Sequence, residues 1–413
     1  MENTNPMSEH TSKPASNPIS KAMSPNVFLL VITLLIIFQP VATDVYLPVL
    51  PTIAKYFHTT AADVQRTLTF FMLGFALSQL FSGPMTDRFG RKPLGIVSIV
   101  FFMMGSLVCM LANSVDGLVL GRFIQGFGAC TALIVARAMV RDTCNPQAGA
   151  TMLSKSASFL ALAPLIGPLI SSYLLDIWTW RGAFILTLFF AVAAGSVMLW
   201  KIQETLITKN PKATQIMPML RGYAFIAQSP KFWTYTAMFT LSFGGLFAYI
   251  SSAALVYVDV LGLSAKEYAL CFCLTVPGYI AGTFLLRYFL PRVGMATSLR
   301  IGAGLQLCAS LVLLALAALG IQHWAAVMFP TAFFLMGYGF ISPVCQAGAA
   351  TEFADRAGAV AGLMGFVQTM GAAGVGAWIG FSYNHTVWPL FATQCVASAL
   401  ACILGMTVVK RYA

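Results

Sequence analysis

Two charged side chains in otherwise apolar surroundings are the first candidates for chemistry. Asp44 lies near one end of the apolar stretch 27–48, and Arg122 lies early in the apolar stretch 118–140. Asp44 is the only acid placed well within such a stretch; the other acids fall in the N-terminal tail, in loops or at helix ends. A carboxylate inside a bilayer costs about 2.5–3.5 kcal/mol on insertion scales, and such a group faces a cavity or a partner. Held away from water, it is suited to binding and releasing a proton. The simpler alternative puts Asp44 at headgroup level, capping a break before Tyr46-Leu47-Pro48. A guanidinium does not shed its proton, so Arg122 needs a counter-charge, water or carbonyl groups. The pair suggests that Arg122 stabilises the charged form of Asp44, directly or through water, in one shape of the site and releases it in another. Taken alone, Arg122 could instead snorkel to the outer interface.

Other chemistry is poorly supplied. Eight of the nine cysteines fall inside apolar runs, where they read as small core residues. Cys271-Phe272-Cys273 is too tight for zinc spacing. The four histidines sit in the tail or in loops, and neither HExxH nor GxSxG occurs. No metal or cofactor is expected, and the chain is not expected to be an enzyme.

The densest charged segment is Gly83–Pro93, between the apolar runs 66–82 and 94–112. Two helices joined by so short a loop must lie side by side and antiparallel. The segment carries Arg88, Arg91 and Lys92 against Asp87, which places it in the cytoplasm by the positive-inside rule. Gly83 and Gly90 permit close helix approach or a positive φ. Pro93 suits the first turn of the next helix, and Asp87 is placed to favour the positive end of its dipole.

Hydrophobic residues make up 58% of the 413-residue chain and charged residues 9%, against about 25% charged in soluble domains. Such a chain cannot cover itself in water and must be integral to a membrane. The net charge of +11 does not indicate nucleic acid, because the basic residues lie at helix ends rather than along one face. The apolar runs predict an all-α membrane protein of twelve transmembrane helices. These fall near 27–48, 66–86, 94–113, 118–140, 147–174, 181–200, 231–257, 267–289, 297–319, 324–349, 358–382 and 387–409, with an outer loop at 49–65. The corresponding domains are a disordered cytoplasmic tail 1–25, a first six-helix bundle 26–200, a basic cytoplasmic linker 201–230, a second six-helix bundle 231–409 and a short tail 410–413. No cleavable signal is apparent. With both termini inside, only Lys55, Arg66, Arg181 and Lys266 of the 24 Lys and Arg fall outside, and only Arg122 and Arg137 within the bilayer. The rest lie on the cytoplasmic side.

A repeat is visible at one offset. Thr60-Ala-Ala-Asp63 and Ser264-Ala-Lys-Glu267 both read as capping boxes. Gly74 and Gly278 follow, and Arg88-Phe-Gly90 is matched by Arg292-Val-Gly294. Each pair is 204 residues apart, as expected of parallel six-helix repeats. Pro291 stands where Asp87 stands in the first copy.

Gly83, Asp87, Arg88, Gly90, Arg91 and Lys92 match without a miss the signature Gly-x-x-x-Asp-Arg-x-Gly-Arg-Lys, and the chain thereby resembles the major facilitator superfamily. Leu120-Gly121-Arg122-Phe123-Ile124-Gln125-Gly126 resembles that superfamily's second motif, which is associated with proton transfer and draws in Gln125 and Gly126. Ala163-Pro164-Leu165-Ile166-Gly167-Pro168 resembles its antiporter motif. It departs at Ala163, Ser171 and Ser172, which leaves both antiport and symport open. Thr43–Pro51, Ala136–Asp142 and Trp180–Phe184 are similar to the Bcr/CflA drug-resistance transporters. The resemblance implies a bacterial inner-membrane, multi-pass, proton-driven exporter of drugs such as bicyclomycin or phenicols, in the manner of an antiporter. Relatives that export natural metabolites keep the substrate open. A proton-linked importer, facilitator or metabolite exporter is the alternative, and a non-transporting receptor is the third class. The expected partners are a small-molecule substrate, protons and the lipid bilayer, without nucleic acid, and the chain is expected to act as a monomer.

Further roles follow from position. Asp142 could pair with Arg88 or Arg91 and lock the inner gate, against the alternative of a solvated pair worth under about 1 kcal/mol. Aromatic and amide groups within the spans, Tyr46, Tyr249, Tyr338, Gln346 and Gln368, suit an amphipathic organic substrate. With a single deep acid, a neutral or weakly charged substrate is expected.

Overall fold

The computed structural model describes residues 24–160, 163–353 and 356–407. The expected tails, apart from residues 24 and 25, lie outside them. All regular structure among the described residues is helical. A chain this apolar has to satisfy its backbone hydrogen bonds within each segment when it crosses lipid, and helices do so. The helices are α1 (Pro25–Asp44), α2 (Leu50–Tyr56), α3 (Ala61–Phe89), α4 (Arg91–Leu111), α5 (Val115–Thr143), α6 (Pro146–Leu160), α7 (Ala163–Trp178), α8 (Arg181–Lys201), α9 (Ile216–Ala227), α10 (Pro230–Ala254), α11 (Ala265–Ala318), α12 (Trp324–Ala350), α13 (Ala357–Ser382) and α14 (Trp388–Thr407).

Ten helical segments among the described residues are long and apolar enough to cross a membrane. One of them, α11, has 54 residues, about 80 Å at 1.5 Å per residue, well over twice the apolar thickness of a bilayer. It turns at Gly294, whose φ is +76°. The predicted span 147–174 is represented by two shorter helices, α6 and α7.

The first span differs from expectation. Helical structure does not stop at residue 48. After α1 a short 3-10 turn, Leu47–Val49, carries the chain into α2, so the helical stretch runs 32 residues from Pro25 to Tyr56. Pro40, Pro48 and Pro51 lie along it. Proline removes a backbone donor and opens the ladder, and α1 ends at Asp44 between the first two. Asp44 therefore sits at an internal break rather than near an outer loop. The linker 201–230 also contains structure. Its helix α9 buries Ile226, and the Tyr223 hydroxyl donates to the Leu80 carbonyl at 3.0 Å.

The two capping boxes form as the sequence pattern requires. The Asp63 amide donates to the Thr60 hydroxyl at 3.2 Å and the Glu267 amide to the Ser264 hydroxyl at 3.3 Å; both carboxylates return to the N-cap. The glycines at the shared offset match as well. At Gly74 and Gly278 an added Cβ would collide with the carbonyls of Phe123 and Ala332, so α3 presses on α5 as α11 presses on α12. Gly90 and Gly294 both take positive φ.

The helices before α9 meet those after it along α3–α13 and α7–α11. At the end bearing the capping boxes the contact is closed. Tyr46, Trp180 and Phe184 share one buried layer with Tyr249, Tyr257 and Tyr268, and the Tyr249 and Phe272 rings stack at 5.6 Å. Lys266 of α11 reaches Asp176 of α7 at 2.8 Å on the surface there. At the opposite end, near Gly83–Pro93, a cavity lies between the two sets of helices.

Candidate functional site

Asp44 is 6% exposed. Its Oδ1 accepts from the Thr43 hydroxyl at 3.1 Å. Gly167 of α7 packs on it: a Cβ at that position would stand 3.3 Å from the Asp44 Cβ, a tight contact. Arg122 is fully buried, so it does not snorkel. Its Nη1 donates to the Ala42 carbonyl at 2.9 Å and to Gln125 Oε1 at 2.5 Å. Its guanidinium lies 4.5 Å from the Tyr46 ring centre and 4.3 Å from that of Phe71. Desolvated cation–π contacts of this kind are worth about 2 kcal/mol. Among the described residues Arg122 makes no ion pair with Asp44. It grips the backbone two residues ahead of Asp44, at the break in α1.

Gln125 orients the guanidinium. Its Nε2 donates to the Ser106 hydroxyl at 2.8 Å, and Thr187 joins the same cluster. Gly126 lets α3 approach until the Phe71 carbonyl fills the place of a Cβ. Thus the Arg122, Gln125 and Gly126 pattern positions one cation between two rings and against one carbonyl. Pro168 lies within α7 next to Gly167, and the Pro164 carbonyl accepts from Cys273 Sγ at 3.5 Å across the contact with α11.

The segment Gly83–Pro93 forms a charge cluster. Arg91, 2% exposed, donates to Asp87 Oδ1 at 2.6 Å and to Asp142 Oδ2 at 2.7 Å. Asp142 thus pairs with Arg91 rather than Arg88, whose guanidinium instead donates to the Thr214 hydroxyl in the linker. The Lys92 ammonium donates to the Leu199 carbonyl at 3.1 Å. Asp87 lies in the last turn of α3 and does not cap α4. That place is taken by Glu204, which accepts from the amides of Arg91 at 2.9 Å and Lys92 at 3.2 Å. Gly90, with φ 109° and ψ 161°, adopts a conformation open essentially to glycine alone, and a Cβ there would strike Glu204. Gly83 takes neither role expected of it: it is helical, and a Cβ on it would meet nothing within 4 Å. Glu204 was missed in the sequence; its one signal is that it is the only acid in the linker 201–230.

A cavity of about 250 Å³ lies between the two sets of helices, and a wider one of about 1060 Å³ continues it past Asp87 and the linker. Tyr338, Gln346 and Gln368 line the inner cavity; Gln39, Gln79 and Arg137 join them. Gln79 donates to Thr369 at 3.0 Å across the divide. Tyr46 and Tyr249 stand apart, in the closed layer. The Tyr46 hydroxyl is 2.8 Å from the Thr67 hydroxyl.

Long apolar helices around a cavity walled by helices from both halves of the chain define a multi-span membrane protein of the transporter class. The chain belongs to the major facilitator superfamily: the model of that family, Major Facilitator Superfamily, matches residues 32–377. It is similar to a bicyclomycin resistance protein homolog of Haemophilus influenzae, 28% identical over 92% of this chain and 96% of the relative. It is also similar to the multidrug resistance protein MdtL of Klebsiella pneumoniae, 28% identical over 93% and 97%. These relatives support the drug-resistance branch read from the motifs. Among solved structures, a D-xylose–proton symporter superimposes with TM-score 0.71 at 15% identity, covering 91% of this chain and 97% of that one. A bacterial homolog of the human lysosomal transporter Spinster, inward-facing and occupied, gives 0.71 at 16% identity, covering 93% and 97%. At these identities the superposition speaks for the fold. The protein is a multi-pass transporter of the bacterial inner membrane.

Proposed function

We propose that the chain exports small amphipathic compounds by alternating access, driven by protons moving inward. The observation that carries this reading is the cavity itself. It is shared between the helices before and after α9, open toward Gly83–Pro93 and sealed at the capping-box end. The charge distribution supports a cytoplasmic position for the open end and for both termini. Counting α11 as two crossings and the α6–α7 pair as one brings the spans to twelve, six on either side of the linker.

Asp44 is the proton carrier in this scheme. It takes a proton from outside, the carrier turns inward, the proton leaves, and substrate binds from the cytoplasm. Arg122 acts as a positioning residue through the α1 break, which it holds by the Ala42 carbonyl. The cluster of Asp87, Arg91 and Asp142 acts as the inner gate, tying α3, α4 and α5 together. At a driving force of about 150 mV one proton supplies roughly 3.5 kcal/mol, enough to sustain a gradient of a few hundredfold for a neutral substrate. The names of the bicyclomycin- and multidrug-resistance relatives support drugs as substrates.

The test uses purified protein in proteoliposomes with an imposed proton gradient, following proton movement while phenicols, bicyclomycin, cationic dyes and nucleosides are added. Proton flux evoked by a compound and lost in Asp44→Asn is the expected result. Flux that survives Asp44→Asn overturns the assignment of the carrier. Net substrate movement in the same direction as the protons overturns export in favour of import.

A further inference from the structure

Arg137 is the charged group on the wall of the inner cavity, and the proton-coupling scheme does not use it. It extends from α5 at the junction of the inner cavity and the wider mouth, and it lines both. Its side chain is exposed to that space, and among the described residues it has neither a hydrogen bond nor an ion pair. Among the described residues no acid lines the inner cavity. Among the described residues the mouth carries Arg141, Lys212, Arg221 and Arg356 besides Arg137, against Asp87 alone. That carboxylate is already engaged by Arg91 at 2.6 Å and by Arg141 at 3.7 Å.

A concave wall with one sign of charge and low-dielectric surroundings concentrates counter-ions and steers them inward. A guanidinium at the end of such a funnel presents a planar fork that matches a carboxylate in two hydrogen bonds. Beyond it, Phe239, Phe243 and Tyr338 offer apolar and aromatic surface. We propose that the cavity takes amphipathic organic anions, with an acidic group docked on Arg137 and an aromatic or aliphatic body lying against α10 and α12. This rests on the export reading for its direction and on the cavity alone for its chemistry. The inference replaces the neutral substrate expected from one deep acid. The exchange also becomes electrically favourable throughout, since an inside-negative potential drives the anion out while it draws the proton in.

The experiment measures binding to the purified full-length protein of three matched probes: 4-phenylbutanoate, 4-phenylbutanamide and 4-phenylbutylamine. The carboxylate should bind at least tenfold more tightly than the amide, and the amine most weakly. Arg137→Gln should erase that preference while leaving amide affinity within about twofold; Arg137→Lys should keep several-fold of it. Absence of carboxylate binding, an amide or amine that binds wild-type protein equally well, or a preference that survives Arg137→Gln would each overturn the proposal. Should the Gln variant fail to fold, the wild-type series and Arg137→Lys decide it. Carboxylate selectivity without flux under a proton gradient would remove the export reading and leave the anion site standing. Flux of neutral or cationic compounds without carboxylate selectivity would do the reverse.

Discussion

Gly167 of α7 faces Asp44 at the break in α1, so closely that a Cβ built on it would stand 3.3 Å from the Asp44 Cβ and 3.5 Å from the Val45 amide nitrogen. As the proposed proton carrier, Asp44 changes its charge during a cycle and needs its neighbours to shift with it, and a bare α-carbon gives that room. Gly167→Ala forces a displacement of a few tenths of an ångström and should lower substrate-evoked proton flux several-fold. Gly167→Val, with two further methyl groups, should abolish it. Proteoliposome flux, with elution on gel filtration as the folding check, measures both.

Asp44→Asn keeps the size of the side chain and removes its titration. Proton-coupled export should fall at least 100-fold while substrate binding stays within a few-fold. Equal loss of binding and flux would place Asp44 in the binding site instead.

Arg122 is expected to act through structure as well as charge. Arg122→Gln strips two acceptors, the Ala42 carbonyl and Gln125 Oε1, of their donor. Each buried polar group left unpaired costs about 1–3 kcal/mol. Thermal melting in detergent should show a clear drop, whereas Arg122→Lys, which keeps the charge but not the fork, should fall between the two.

The cluster proposed as the inner gate should separate turnover from binding. Asp87→Asn weakens one of the two acids on Arg91 and should slow turnover with less effect on binding. Asp142→Ala should do more, because Asp142 is the more buried of the two partners of Arg91, itself only 2% exposed. Single-turnover flux compared with equilibrium binding distinguishes these effects.

Gly90→Ala should cost about 1–3 kcal/mol for a backbone conformation that L-residues avoid, beyond its collision with Glu204. Glu204→Ala removes the cap of α4 and should cost about 0.5–2 kcal/mol. Because both changes disturb the same contact, the double variant should lose less than the sum of the two.

The sequence by itself determined the membrane, the all-helical character, the two capping boxes and the turn at Gly90. Each depends on chemistry confined to a few neighbouring residues: an apolar run long enough to span lipid, a hydroxyl three residues before a carboxylate, a glycine between two helices. The 204-residue offset extended this to a repeat, because Gly74 and Gly278 each press against a neighbouring helix. Contacts between distant segments were decided only by the tertiary structure. Asp44 and Arg122 could be picked out as buried charges, yet nothing local showed that the guanidinium would lie between the rings of Tyr46 and Phe71 and hold a carbonyl rather than the carboxylate. Tyr46 and Tyr338 looked alike as aromatic residues within spans; one lies in the sealed layer and the other on the cavity wall. Glu204 reaches across more than 110 positions of chain to cap α4, and Arg137 gains its meaning from the lack of acids, among the described residues, along a cavity wall built by helices far away in sequence. A side chain's partner is set by which helix faces meet, and that follows from the packing of the whole bundle.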